Sequence, residues 1–121
     1  MYPALKKSRG KPKRKALGSV YDTGGGLVGH FDASSVWGRY GGDFGSYEAG
    51  VVSDYRGKRV GVVRGRTLIH DLHGTLAHCR DGDFVFPGGA PAGRYTGDES
   101  GAAAAFLLHL HRKRQKEAKS E

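Results

Sequence analysis

Glycine interrupts this chain at short intervals, and 19 of its 21 glycines lie in residues 17–97. Between the glycines stand short runs of β-branched and aromatic residues, which are typical of strands joined by tight turns. These runs predict strands at residues 27–31, 36–40, 46–53, 58–64, 66–72, 75–79 and 83–86. Strands that follow one another through such short connections favour an antiparallel meander.

Two short segments predict hairpins within this meander. The first is Asp-Tyr-Arg-Gly at residues 54–57, which has valines on both sides. The second is Asp81-Gly82, since a two-residue Asp-Gly loop can take the positive φ angles of a type I′ turn. Residues 87–97 hold two prolines and four glycines and therefore predict a loop.

The last part of the chain predicts one helix, from about residue 98 to 119. Three candidate N-cap residues stand at its start: Thr96, Asp98 and Ser100. Residues 102–108 are apolar on every face and should be buried, whereas the residues beyond His111 are nearly all charged. Phe106 and Leu110 lie four apart and predict a stripe that docks on the sheet. The expected fold is α+β, a small antiparallel β-sheet or partly closed barrel with one C-terminal helix and a flexible basic N-terminal arm.

Charge divides the chain into three parts. Residues 1–16 carry seven basic residues and no acidic one, while residues 17–97 carry eight of each and are neutral. Residues 98–121 have a net charge of +1, which completes the total of +8. Because residues 1–16 have almost nothing apolar to bury, we expect this arm to be disordered when free. Residues 17–121 are expected to form a single β-rich domain.

The basic arm is the strongest functional signal, because clustered Lys and Arg side chains neutralise phosphates and release counterions. The predicted nucleic-acid contacts are Lys6, Lys7, Arg9, Lys11, Lys13, Arg14 and Lys15 in the arm and Arg112, Lys113, Arg114 and Lys116 in the helix. The sequence has no zinc-finger spacing, leucine-zipper heptad or helix-turn-helix pair. We therefore expect contacts to phosphates rather than to base edges, with DNA and RNA both open.

Aromatic residues near two arginines allow two interpretations. The residues are Tyr40, Phe44, Tyr47 and Tyr55, with Arg39 and Arg56 beside them. They could form a surface on which bases stack, or they could pack in the core. Aromatic residues are enriched in any strand, which favours the core.

Three histidines have residue types suited to a metal site or to acid–base chemistry: His70, His73 and His78, with Asp71 and Cys79 nearby. A strand at 66–72 would place His70 and His73 on opposite faces, and only a turn at 73–74 would bring His73 and His78 together. His109 and His111 would point to different sides of the helix. No ligand set is complete, so we expect no metal, cofactor or catalytic residue.

The expected function is that of a non-enzymatic, nucleic-acid-associated structural protein, either a virion component or a ribonucleoprotein subunit. In its charge layout the chain resembles small viral coat and genome-associated proteins, and also ribosomal proteins. One alternative is a small nuclease or toxin in which His70, His73 or His78 is the base and Arg66 or Arg80 stabilises the developing charge. A second is an adaptor or inhibitor that recognises an acidic protein surface.

The remaining expectations concern location and assembly. No apolar run approaches the roughly 20 residues that cross a bilayer, and the N-terminus lacks a secretory signal. We therefore expect no membrane partner and a location inside the cell, a virion or a ribonucleoprotein particle. Cys79 is the one cysteine and cannot form an internal disulfide. A homo-oligomer or a larger assembly is left open.

Overall fold

A computed structural model describes residues 16–120, with side chains described as far as Lys116. Its strands are β1 (Gly18–Tyr21), β2 (Leu27–Phe31), β3 (Ser35–Gly38), β4 (Asp43–Glu48), β5 (Val51–Asp54), β6 (Arg59–Arg64), β7 (Thr67–His70), β8 (Gly74–Arg80), β9 (Asp83–Val85) and β10 (Pro91–Gly97). They are followed by helix α1 (Glu99–Ser120).

The ten described strands form one closed antiparallel barrel in chain order. Strand β10 closes it by pairing with β1, so that Arg94 lies opposite Tyr21 and Gly97 lies opposite Gly18. The predicted class, mostly antiparallel β with one C-terminal helix, is confirmed. The barrel is fully closed in the described residues, because β1 and β10 both take part in the sheet.

Helix α1 lies inside this barrel. Residues 102–108 are all buried, with exposed fractions of 1% or less. The helix packs against strands around the whole wall, and in β9 the ring of Phe84 stacks on Phe106 with 4.1 Å between the ring centroids. A helix that meets strands on every side of a closed sheet must occupy its lumen. The helical residues that are apolar on every face therefore form the centre of the core.

The helix enters the lumen at a glycine. A Cβ atom on Gly101 would collide with the ring of Phe31 and would lie 2.6 Å from the Tyr47 hydroxyl oxygen. Asp98, the residue before the first helical residue Glu99, caps the helix by accepting a 3.1 Å hydrogen bond from the Gly101 amide. The described chain thus passes from β10 into the barrel through a tight, capped turn.

Several sequence expectations were wrong in detail. Residues 91–97 form strand β10 rather than a loop, because Pro91 stands at the strand's first position, where it is tolerated. Residues 46–53 are divided between β4 and β5 by a two-residue turn at Ala49 and Gly50, both of which have positive φ. The sequence pattern also failed to predict strand β1 at residues 18–21. Phe106 packs on the sheet as expected, but it does so from within the barrel.

Alternation of the strands places the loops at two rims. The upper rim comprises loops 22–26, 39–42, 55–58, 71–73 and 86–90, the adjoining strand ends and the helix from His109 onward. The lower rim comprises loops 32–34, 49–50, 65–66 and 81–82, the adjoining strand ends and the start of α1. The helix begins at the lower rim and leaves at the upper rim, while the described chain begins at the lower rim, just before β1.

Candidate functional site

Four of the five upper-rim loops contain the same kind of turn. In each, a glycine amide donates to the carbonyl oxygen three residues before it, at 2.8–3.0 Å. The turns are 22–25, 38–41, 54–57 and 86–89, and each ends on a glycine with positive φ. The turn predicted at residues 54–57 is confirmed. Because their geometry is shared, the side chains at the two central positions distinguish these turns from one another.

Two of the turns carry an arginine and a tyrosine at their central positions. In one, Arg39 donates to the Tyr40 hydroxyl at 2.8 Å and its guanidinium carbon lies 4.8 Å from the ring centroid. In the other, Arg56 donates to the Tyr55 hydroxyl at 3.1 Å, with a corresponding distance of 5.3 Å. Tyr40 is 86% exposed and Tyr55 is 58% exposed. The rim therefore presents two similar arginine–tyrosine pairs to solvent.

The structure separates the four aromatic residues that the sequence grouped together. Phe44 and Tyr47 pack against the core, and Tyr47 also donates its hydroxyl to the Asp32 carbonyl at 2.7 Å. Tyr40 and Tyr55 stand at loop tips instead. The core interpretation is therefore right for the first two and wrong for the second two.

Helix α1 brings further positive charge to the upper rim. Residues 112–116 are exposed, and the guanidinium of Arg112 lies 4.3 Å above the ring of Phe44. This cation–π contact holds Arg112 beside the 39–42 loop. Arg112, Lys113, Arg114 and Lys116 are thus all exposed at the upper rim. The arm residues Lys6, Lys7, Arg9, Lys11, Lys13, Arg14 and Lys15 lie outside the described part of the chain.

The two rims differ in charge. Among the described side chains, the upper rim has eight basic residues (Arg39, Arg56, Lys58, Arg59, Arg112, Lys113, Arg114 and Lys116) and four acidic ones (Asp22, Asp43, Asp54 and Asp71). The lower rim has three basic residues (Arg64, Arg66 and Arg80) and six acidic ones (Asp32, Glu48, Asp81, Asp83, Asp98 and Glu99). A body whose basic and acidic side chains nearly balance is therefore strongly polar along the barrel axis.

Three upper-rim carboxylates already have specific partners. Asp54 accepts hydrogen bonds from the amides of Arg56 and Lys58 at 2.9 and 3.0 Å. Asp22 accepts from two glycine amides of its own loop at 2.8 and 3.0 Å. Asp71 forms an ion pair with Arg59 at 3.0 Å. These carboxylates therefore stabilise the loops and the barrel wall and do not form a separate negative patch.

At the lower rim, Arg66 fixes the first turn of the helix. Its guanidinium binds Glu99 at 2.7 Å and Asp81 at 3.2 Å. Tyr95 also donates to Glu99, at 2.7 Å. The hydrogen bonds from Arg66 and Tyr95 lower the pKa of the Glu99 carboxyl below its ordinary value. Arg66 therefore holds the N-terminal turn of α1 in place.

Histidines of the upper rim form a contact group, which the strand expected at 66–72 had excluded. Strand β7 ends at His70, and a turn folds His73 back until the two ring centroids are 4.6 Å apart. His70 Nδ1 accepts hydrogen bonds from the amides of Leu72 and His73, at 3.0 and 3.3 Å. The proton of neutral His70 must then be on Nε2, which donates to His111 Nδ1 at 3.0 Å.

Burial lowers the pKa of three histidines of the upper rim. It is the largest cause lowering the pKa of His70, His109 and His111 below the ordinary value. Nearby basic side chains lower the pKa further: His73, His111 and Arg114 act on His70, and Lys113 and Arg112 act on His109. Asp54 partly offsets the effect at His111. Through the hydrogen bond between His70 and His111, the histidines hold α1 against strand β7.

The structure separates His70 from Arg66, one of the pairs proposed for a nuclease, whereas His78 lies two residues before Arg80 in strand β8. His70 and Arg66 flank strand β7 at opposite rims, about 13 Å apart along the strand. His78 lies farther down β8 and contacts Thr67 at 3.2 Å. Burial raises the pKa of Cys79 to about 12, which keeps the thiol protonated. Within residues 16–116, no group of three or more His, Cys, Asp or Glu side chains is arranged to hold a metal ion.

Comparisons with known proteins add no family to this description. No family model, curated protein or solved structure matches the chain. In the described part of the chain, no helix combines the length and apolar character that crossing a membrane requires. The geometry of the upper rim is therefore the basis for inferring a function.

Proposed function

We propose that this protein is a non-enzymatic, nucleic-acid-associated structural protein that contacts phosphates through the upper rim and the basic arm. A virion component and a ribonucleoprotein subunit are the two settings that suit this role. The observation that carries the proposal is the excess of positive charge at the upper rim, which has eight basic and four acidic side chains, whereas the lower rim has three basic and six acidic ones. Such a patch attracts phosphates and releases counterions on binding.

The arrangement of the rim supports phosphate contact in two ways. Asp22 and Asp54 are bound by loop amides and Asp71 by Arg59, and the four helical cations are exposed at the surface. The four helical cations lie on one continuous element whose buried part is fixed in the lumen. A rigid support lowers the conformational entropy that binding would otherwise cost.

A charge-matched pair of variants tests this proposal in the full chain. Lys113→Gln with Arg114→Gln removes two exposed charges from the upper rim, whereas Arg64→Gln with Arg80→Gln removes two exposed charges from the lower rim. Affinity for a fluorescent oligonucleotide is measured by anisotropy over a range of salt concentrations. We expect the upper pair to reduce the salt slope by up to about 2 and the lower pair to leave it unchanged.

Two outcomes would contradict the proposal. Equal weakening by both pairs would show that binding follows net charge and not the rim. Binding to an acidic protein without binding to any oligonucleotide would favour the adaptor alternative.

A further inference from the structure

We infer that the two arginine–tyrosine turns of the upper rim form a stacking site for the unpaired bases of single-stranded nucleic acid. This inference rests on the proposed function, since the basic rim must first hold the strand. It goes further by naming the class of nucleic acid and the side chains that select it. The carrying observation is the repetition of one exposed pair on two turns of the same geometry.

The side chains of Tyr40 and Tyr55 contribute little to the stability of the fold. Tyr40 and Tyr55 occupy central positions of turns that their own backbone hydrogen bonds close, so the loops do not need these rings. A large aromatic side chain that is mostly exposed gains little from the hydrophobic effect. Each ring nevertheless has a guanidinium held beside it. These pairs suit a ligand that offers both a flat apolar face and a negative charge.

Single-stranded nucleic acid has that combination of properties. Unpaired bases expose their faces and stack on aromatic rings or on guanidinium planes, while phosphates accept hydrogen bonds from arginine. In a duplex the base faces are already stacked on one another, so a tyrosine ring cannot stack on them. Tyrosine at the rim therefore favours single strands, whereas the cations serve both forms.

The spacing of the two turns allows one strand to reach both. Turns 38–41 and 54–57 are separated by two strand widths, about 10 Å. Arg112 lies beside the first turn through its contact with Phe44. Asp54 fixes the second turn by binding the amides of Arg56 and Lys58. The site is thus a pair of ordered stacking positions next to the basic helix.

A double variant with a conservative control tests this site in the full chain. Tyr40→Ala with Tyr55→Ala removes both rings, while Tyr40→Phe with Tyr55→Phe retains them and removes only the hydroxyls. Anisotropy is measured with a 12-nucleotide oligouridylate and with a 12-base-pair duplex at one salt concentration. We expect the alanine pair to weaken oligouridylate binding about 30-fold or more, and duplex binding less than about 3-fold. The phenylalanine pair should bind both as wild type does.

The possible failures are distinguishable. Unchanged oligouridylate binding by the alanine pair, or an equal loss for both ligands, would overturn the stacking site while leaving the proposed function intact. Failure of the wild-type chain to bind either ligand would overturn the proposed function and the stacking site together. Melting temperatures equal to that of wild type would show that the variants are folded, as the exposure of both rings predicts.

Discussion

The ring of Phe106 in the central helix lies parallel to the ring of Phe84 in strand β9, with centroids 4.1 Å apart and an interplanar angle of 5°. Both residues are buried, with exposed fractions of 1% and 0%. The contact joins the lumen helix to the shortest strand of the barrel wall. It is therefore a sensitive point at which to test whether the helix supports the barrel.

We predict that Phe106→Ala destabilises the protein by roughly 3–5 kcal/mol, because it leaves a cavity at the centre of the core. The free energy of unfolding is measured by urea titration. Phe86→Ala provides a matched control, since Phe86 is 39% exposed on an upper-rim loop. That change should cost less than about 1 kcal/mol. Equal stability of Phe106→Ala and wild type would contradict the placement of the helix in the lumen.

A second prediction concerns pH. The folded protein lowers the pKa of His70, His109 and His111, so the unfolded chain binds more protons as the pH falls below about 6.5. The free energy of unfolding should therefore be greatest near neutral pH and decrease toward pH 5. Glu99 would add to this loss only at lower pH, because its ordinary carboxyl pKa is near 4.3.

Urea titrations at pH 7.5 and pH 5 measure this dependence. His111→Gln retains a side chain that can accept the hydrogen bond from His70 but removes one titrating group. We expect a smaller difference between the two pH values for this variant than for wild type. Stability that stays constant or increases toward pH 5 would show that the imidazoles are not held neutral by burial.

The sequence predicted the elements that depend on local chemistry. Asp81-Gly82 forms the expected tight turn, since both residues have positive φ. Residues 102–108 are buried because each has an apolar or small side chain. What local pattern cannot show is closure. The sequence of strand β10 resembles that of a loop, because its pairing with β1 is not visible in the local pattern. The helix was expected to lie on one face of the sheet, because nothing in the local pattern indicates a lumen.

The sequence likewise predicted some features of the candidate site and missed others. The exposure of residues 112–116 follows from their charge and was expected. The contact between His70 and His73 was missed, because it depends on where β7 ends. The difference between exposed Tyr40 and packed Phe44 was also missed, although the glycines beside Tyr40 were a signal for a turn. The sequence could have distinguished the two groups of aromatic residues. Tyr40 and Tyr55 stand next to an arginine in turns that end on a glycine, whereas Phe44 and Tyr47 lie within a strand.

The basic arm gives a third prediction, which follows from sequence alone. Deleting residues 1–16 should leave the melting temperature nearly unchanged, since the arm has few large apolar side chains, namely Met1, Tyr2 and Leu5. The deletion should abolish most nucleic-acid binding, because it removes seven of the 20 basic residues. Thermal denaturation and anisotropy measure the two effects. Equally tight binding by the truncated chain at moderate salt would contradict the role of the arm charges in binding.

A fourth prediction concerns the helical cations as a set. Changing Arg112, Lys113, Arg114 and Lys116 to Gln together should hardly alter the melting temperature, because exposed positions contribute little to stability. The same change should weaken binding to nucleic acid and reduce its salt dependence. A large fall in melting temperature would instead show that these side chains hold the helix in the barrel.

The central claim is that phosphate contacts bind this protein to nucleic acid, and the salt dependence of binding by the full chain tests it most directly. Affinity for a duplex oligonucleotide is measured from low to moderate salt, and the logarithm of the association constant is plotted against the logarithm of salt concentration. The account predicts a steep linear decrease, in which the seven arm charges alone contribute a slope of up to about −6 if each meets a phosphate. A flat response, or no binding at low salt, would contradict it.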